Sequence, residues 1–380
     1  MTSIGGVEMV DWNLAVATAT RLVRPGPEVS RDEARAVVAE LRRHAKTSER
    51  HVRDFTRMLP DGAEVHDTPV LVVDRVGWVK ANVAGFRELL GPLLGKMQER
   101  REGTPGGSVL GAFGGKVTGV ELGMLLSFLA SRVLGQYETF APAGLDLPGS
   151  AAGGRLLLVA PNIVHVEREL EVDPHDFRLW VCLHEETHRT QFTAVPWLRA
   201  HLEGEIQTFL GATEMDPTTV LERLREAAQS FAGARPDAER GDEGRSLVEL
   251  VQTPEQREVL GRLTAVMSLL EGHADFVMDG VGPDVVPSVA EIREKFQQRR
   301  ASGAGRLDAT LRKLLGLDAK LRQYRDGERF VRAVVGQVGM DGFNRVWTSP
   351  NTLPTKAEIA KPADWVARVH GRGSEDGGAE

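Results

Sequence analysis

Apolar residues recur at helical spacing along most of the chain. Val10–Leu22 is the first such run, and Pro25-Gly26-Pro27 stops it. Ser30 followed by Glu33 has the capping-box pattern and predicts a helix to Arg42 or beyond. Arg75–Gln98 predicts another long helix, ending in a charged, glycine-rich loop over Glu99–Ser108. Val117–Leu134 is the most apolar stretch; Glu121, Arg132 and its glycines fit a buried helix better than a membrane span. Phe177–Phe192 is apolar and helical, Pro196 interrupts it, and a further helix follows from Trp197. Glu255–Asp279 is a long uninterrupted helical pattern. Only Arg155–Ala160, and more weakly Val70–Val73, read as strands.

These elements predict a mainly α fold with a small β-sheet. No repeat and no linker divides them, so residues 1–370 are expected to form a single domain. Gly233–Arg245 reads as an exposed loop, and 371–380 as a disordered acidic tail.

Composition narrows the function classes. With 41% hydrophobic and 27% charged residues, the chain can bury a sizeable core. A net charge of −7 without a basic stripe argues against nucleic acid as a partner. The one cysteine, Cys182, can form neither an internal disulfide nor a cysteine zinc cluster, and is expected to be a small buried hydrophobe. Met1–Asp11 lacks the features of a signal peptide, so a cytoplasmic location is expected.

Candidate chemistry lies in His184-Glu185-Glu186-Thr187-His188. Histidines four apart share one helix face and can bind one ion, and zinc suits imidazole nitrogen. Glu185 projects about 100° round from His184, where it can flank the metal and take a proton from a bound water. This is the His-Glu-x-x-His zincin motif. The alternative is a pair of core histidines satisfied by backbone carbonyls. Apolar flanks make a shared ion the better way to satisfy two buried imidazoles.

A catalytic zinc needs a third protein ligand. Leu269–Asp275 offers Glu271 or His273, about 200° apart on a helix, so only one can face the pair. His273 shares its side with Leu269, Phe276 and Val277, a packing surface, which favours Glu271. Asp275 lies one turn beyond Glu271 and could hydrogen-bond the outer nitrogen of a ligating histidine. Gly272 would permit close helix approach.

The pattern Glu271-x-x-Ala274-Asp275 after His184-Glu185-x-x-His188 resembles that of the gluzincins, whose glutamate is the third zinc ligand. More closely, the chain resembles a zincin-like family of high-GC bacteria, labelled zinc-dependent metallopeptidases or "coenzyme F-420 biosynthesis-associated" proteins. Val10–Ala15, Leu134–Tyr137, Leu156–Ile163, His184–Phe192 and Leu270–Asp275 carry that resemblance. It implies a zincin-like helical domain holding one zinc ion.

A zincin also needs an electrophile for the developing oxyanion. The two tyrosines are Tyr137 and Tyr324, and Tyr137 is the first candidate, although a packing role is the commoner one for a tyrosine. Glu186 faces away from the ligand stripe and is expected at the surface or in a salt bridge. Gly119-x-x-x-Gly123 suggests close helix packing. The expected activity is a zinc peptidase or amidase acting on a peptide or small amide. A non-catalytic zinc brace or partner-binding module, and a hydrolase of deazaflavin metabolism, are the alternatives.

Overall fold

The computed structural model describes residues 10–58, 69–102, 107–140, 154–211, 253–302 and 317–371. Its first helices are α1 (Trp12–Leu22) and α2 (Arg31–Thr56), capped by the Asp11 and Ser30 side chains. Strand β1 (Val70–Val73) leads into α3 (Arg75–Glu102), and α4 (Gly107–Ala130) precedes β2 (Gly135–Glu138). Strand β3 (Arg155–Val159) passes directly into α5 (Ala160–Leu170). Then come α6 (Pro174–Ala194), α7 (Pro196–Gly211), α8 (Pro254–Gly280), α9 (Val289–Ser302) and α10 (Leu317–Phe343), followed by the short α11 (Lys356–Ala360) and α12 (Pro362–His370).

The mainly α fold with a small sheet is therefore present. Strand order is β1-β3-β2, with β1 parallel and β2 antiparallel to the central β3. All five residues of β3 are buried because helices cover both faces. Side chains alternate across a strand, so Leu158 joins one core, with α2, α5 and α6, while Leu157 and Val159 join another, with α1, α3 and α4. A further core packs the first half of α8 against α7, α10 and the chain from Phe343 to Trp365.

Glycines set the helix spacing at two crossings. A Cβ on Gly119 or Gly123 of α4 would lie 2.6 Å from the Asp11 carbonyl oxygen or 2.7 Å from that of Ala15, so the spacing does mark a close crossing, with α1. At the α8–α10 crossing, a Cβ on Gly272 would lie 2.1 Å from the carbonyl carbon of Gly327.

Several expectations change. Gly135–Glu138 is a third strand, beyond the two that the sequence predicts; pairing with β3 overrides the weak local signal. The glycine-rich stretch after Gln98 is mostly helical, since α3 continues to Glu102 and α4 begins at Gly107. From Val117 to Ala130, α4 is only partly buried, leaving Val117, Met124 and Leu125 exposed. The proposed loop at Gly233–Arg245, and the tail beyond Gly371, lie outside the described residues.

Candidate metal centre

Helix α6 carries the histidine motif. Pro174 occupies its first turn and the Asp173 side chain accepts from the Asp176 N–H, so the start is fixed by capping rather than packing. Helix α8 opens with a capping box between Thr253 and Gln256. The two helices run antiparallel, as their side-chain contacts require: His184 meets Asp275 and Met278, His188 meets Glu271, and Gln191 meets Leu270.

At that seam the Nε2 atoms of His184 and His188 lie 3.2 Å apart. Glu271 faces both, with Oε2 3.7 Å from His184 Nε2 and Oε1 3.8 Å from His188 Nε2. Tetrahedral zinc with ligand bonds near 2.05 Å needs donors about 3.3 Å apart. This donor set and its spacing therefore fit a zinc ion after small side-chain adjustments.

Each imidazole is oriented from behind. His188 Nδ1 lies 3.0 Å from Gln191 Oε1, an acceptor, so Nδ1 carries the proton and Nε2 keeps its lone pair for an ion. The Gln191 amide then donates to the Leu270 carbonyl at 2.9 Å and contacts His273 Nδ1 at 3.1 Å. His184 Nδ1 faces Asp275 Oδ1 at 3.7 Å and Met278 Sδ at 3.3 Å. No motif marks Gln191 for this role; its position three residues after His188 on the same helix is the signal that the sequence carries.

His273 lies apart from the donor cluster. It is fully buried, with ring centroids 5.3 Å from Phe343 and 5.5 Å from Trp347. Burial, with help from the nearby His188, pulls its pKa down to about 3, so it is neutral at ordinary pH.

Glu185 is buried and points at the edge strand, where a Cβ on Gly135 would lie 2.6 Å from its carboxylate carbon. Burial, reinforced by the Glu271 carboxylate, pushes the Glu185 carboxyl well above the usual range. Tyr137, two residues along β2, stacks on Phe192 with centroids 5.5 Å apart. Its hydroxyl lies against Gly154, beyond its ladder partner Leu156 and away from the Gly135–Leu158 pair beside Glu185. Burial raises the phenol to about 12.

Glu186 is buried rather than at the surface, and is paired with Arg189 at 2.8 Å; burial raises its pKa to about 7. Cys182 is fully buried, its Sγ near the Leu41 carbonyl at 3.8 Å. A second histidine–carboxylate group among the described residues, Glu40, His44 and His175, sits between α2 and the start of α6. There Arg178 bridges Glu40 to Glu167, so the group already has its own cation.

The centre opens into a cavity of about 1060 Å³ lined by His184, Glu185, His188, Glu271, Asp275 and Gly135, among others. Its size and mixed lining suit a ligand site. No helix among the described residues is long and apolar enough to cross a membrane.

Comparison with known proteins gives a family and a structural neighbour. No curated protein matches the chain. The chain resembles a crystal structure described as "a putative hydrolase with a novel fold" from Chloroflexus aurantiacus, with a TM-score of 0.65 and 32% identity over 95% of this chain and 99% of that one. The sequence profile of the zincin-like metallopeptidases matches residues 10–366. This chain belongs to the zincin-like metallopeptidase family.

Proposed function

We propose that the chain is a zinc-dependent peptidase or amidase in which His184, His188 and Glu271 hold the ion and Glu185 moves the proton. The observation that carries this reading is the convergence of the two Nε2 atoms and both Glu271 oxygens on one point at the cavity wall. A zinc ion held there supplies Lewis acidity toward a carbonyl oxygen and toward water. The buried Glu185 carboxylate accepts a proton from the attacking water and returns it to the leaving amide nitrogen. Gln191 and Asp275 orient the two imidazoles, so their Nε2 atoms need little rearrangement to ligate.

Strand β2 supports a peptide substrate in particular. It is an edge of the sheet among the described residues, and Gly135, Gln136 and Tyr137 all line the cavity. An extended peptide can add to such an edge through main-chain hydrogen bonds. Tyr137 is assigned to the cavity wall, on the direction of its hydroxyl.

The test is Glu185→Gln. This variant is expected to keep one equivalent of zinc while losing hydrolysis, measured by metal analysis beside a fluorogenic peptide screen. Retained hydrolysis would remove Glu185 from the mechanism. Loss of folding on chelation, with no substrate turned over by the wild type, would instead favour a zinc brace. Poly-glutamyl deazaflavin belongs in the same screen, as the small-amide substrate that the deazaflavin reading requires.

A further inference from the structure

The cavity is longer than one peptide bond needs, and its two ends differ in chemistry. Both Leu263 and Asp279 of α8 line it, and the helix between them spans about 24 Å at 1.5 Å per residue. Glu271 lies midway. An extended chain crosses that distance in about seven residues.

The antiparallel course of α6 and α8 sorts the remaining lining into two wings. Beyond His188, toward Phe192, are Phe140, Leu202, Ile206, Leu263 and Met267, and no charged residue among the described ones. Met267 is 39% exposed, so its side chain is accessible to a ligand in the cavity. Beyond His184, toward Trp180, the charged side chains Arg132, Asp279, Arg293 and Glu328 enter the lining, beside the apolar Trp180, Val181, Met278 and Phe296. Arg293 joins Asp279 and Glu328, the latter at 2.7 Å, so this wing presents held charges of both signs. Strand β2 runs from the charged wing to the apolar one, since Gly135 meets Glu185 while Tyr137 reaches Phe192.

We infer that the occupant of this cleft is an extended polypeptide segment with apolar side chains on one side of the bond at the metal centre and polar or charged ones on the other. The inference builds on the peptidase reading above and adds the substrate's length and its asymmetry. Met267 and Ile206 select the apolar half, and Arg293 and Glu328 select the polar half. A small amide would engage neither wing.

Binding tests this independently of turnover. Zinc-loaded Glu185→Gln is titrated with fluorescent peptides of about eight residues. One set is apolar then polar, another polar then apolar, with uniformly apolar, uniformly polar and dipeptide-amide controls. One bipolar order is expected to bind at least about tenfold tighter than any control. Adding Met267→Glu, or Ile206→Ser should the first variant melt early, is expected to remove that advantage. Equal binding of the dipeptide amide, equal binding of a uniform peptide, no binding by any peptide, or no effect of both added substitutions would overturn the inference. A wild-type enzyme that cleaves none of the peptides bound by Glu185→Gln would overturn the catalytic reading instead, and leave the cleft's preference intact.

Discussion

The main chain of Gly135 lies against the Glu185 carboxylate so closely that a Cβ would meet its carboxylate carbon at 2.6 Å and Oε1 at 2.8 Å. An unbranched position there lets the edge strand and the proposed proton carrier share one wall of the cleft. Gly135→Ala must therefore displace Glu185 or the strand. Misplacing a reacting group by about 1 Å costs on the order of a hundredfold in rate. Steady-state kinetics on Gly135→Ala should show a fall in kcat/KM of that size, with zinc content unchanged.

Gly272 and Gly327 pose the same steric problem away from the cleft. A Cβ on Gly272 would fall 2.1 Å from a backbone carbon of α10, and one on Gly327 would fall 1.8 Å from the Ser268 carbonyl oxygen. Backbone cannot rotate aside as a side chain can. Gly272→Ala is expected to cost about 3 kcal/mol or more. Urea denaturation should show the lowered midpoint, and zinc affinity should fall as well, because Glu271 is the preceding residue.

Gln191 joins His188, Leu270 and His273 through one buried amide. Gln191→Leu removes the acceptor that fixes the His188 tautomer. Zinc affinity should drop about 10- to 100-fold, read by competition with a chromogenic chelator. Gln191→Glu keeps an acceptor toward His188 Nδ1, and should retain more affinity than the leucine variant.

The direction of the Tyr137 hydroxyl leads to a modest expectation. Removing a true oxyanion donor costs about a hundred- to a thousandfold in kcat. Tyr137→Phe should instead keep kcat within about threefold, far short of that loss. A loss on the oxyanion scale would return Tyr137 to the reacting groups.

What the sequence made legible follows from local geometry. The four-residue spacing of His184 and His188, and the 200° separation of Glu271 from His273, depend only on helix periodicity. They survive into the structure because α6 and α8 are regular and well capped. His273 faces Phe343 and Trp347, in keeping with the apolar neighbours on its side of the helix. Strand β2 is not legible because four residues, Gly-Gln-Tyr-Glu, carry almost no periodic signal, and their conformation is set by a partner beginning at Arg155. The close approach of Gly135 to Glu185 was invisible for a similar reason. It joins residues fifty apart, and no local pattern encodes such a meeting. The charged wing was hidden too, since Asp279, Arg293 and Glu328 come together only through the packing of α8, α9 and α10.

Helix α8 changes neighbours along its length. Ala265, Val266, Leu269 and Leu270 belong to the core shared with α7 and α10, whereas Val277 and Met278 belong to the core built around α6. Glu271 sits at the changeover. An ion gripped by Glu271 and the two histidines of α6 would thus act as a rivet at the joint between the two cores, and strain on either would reach it. Binding of the ion and stiffness of that joint are then two readings of one equilibrium, so hydrogen exchange along α8 should slow when zinc is added.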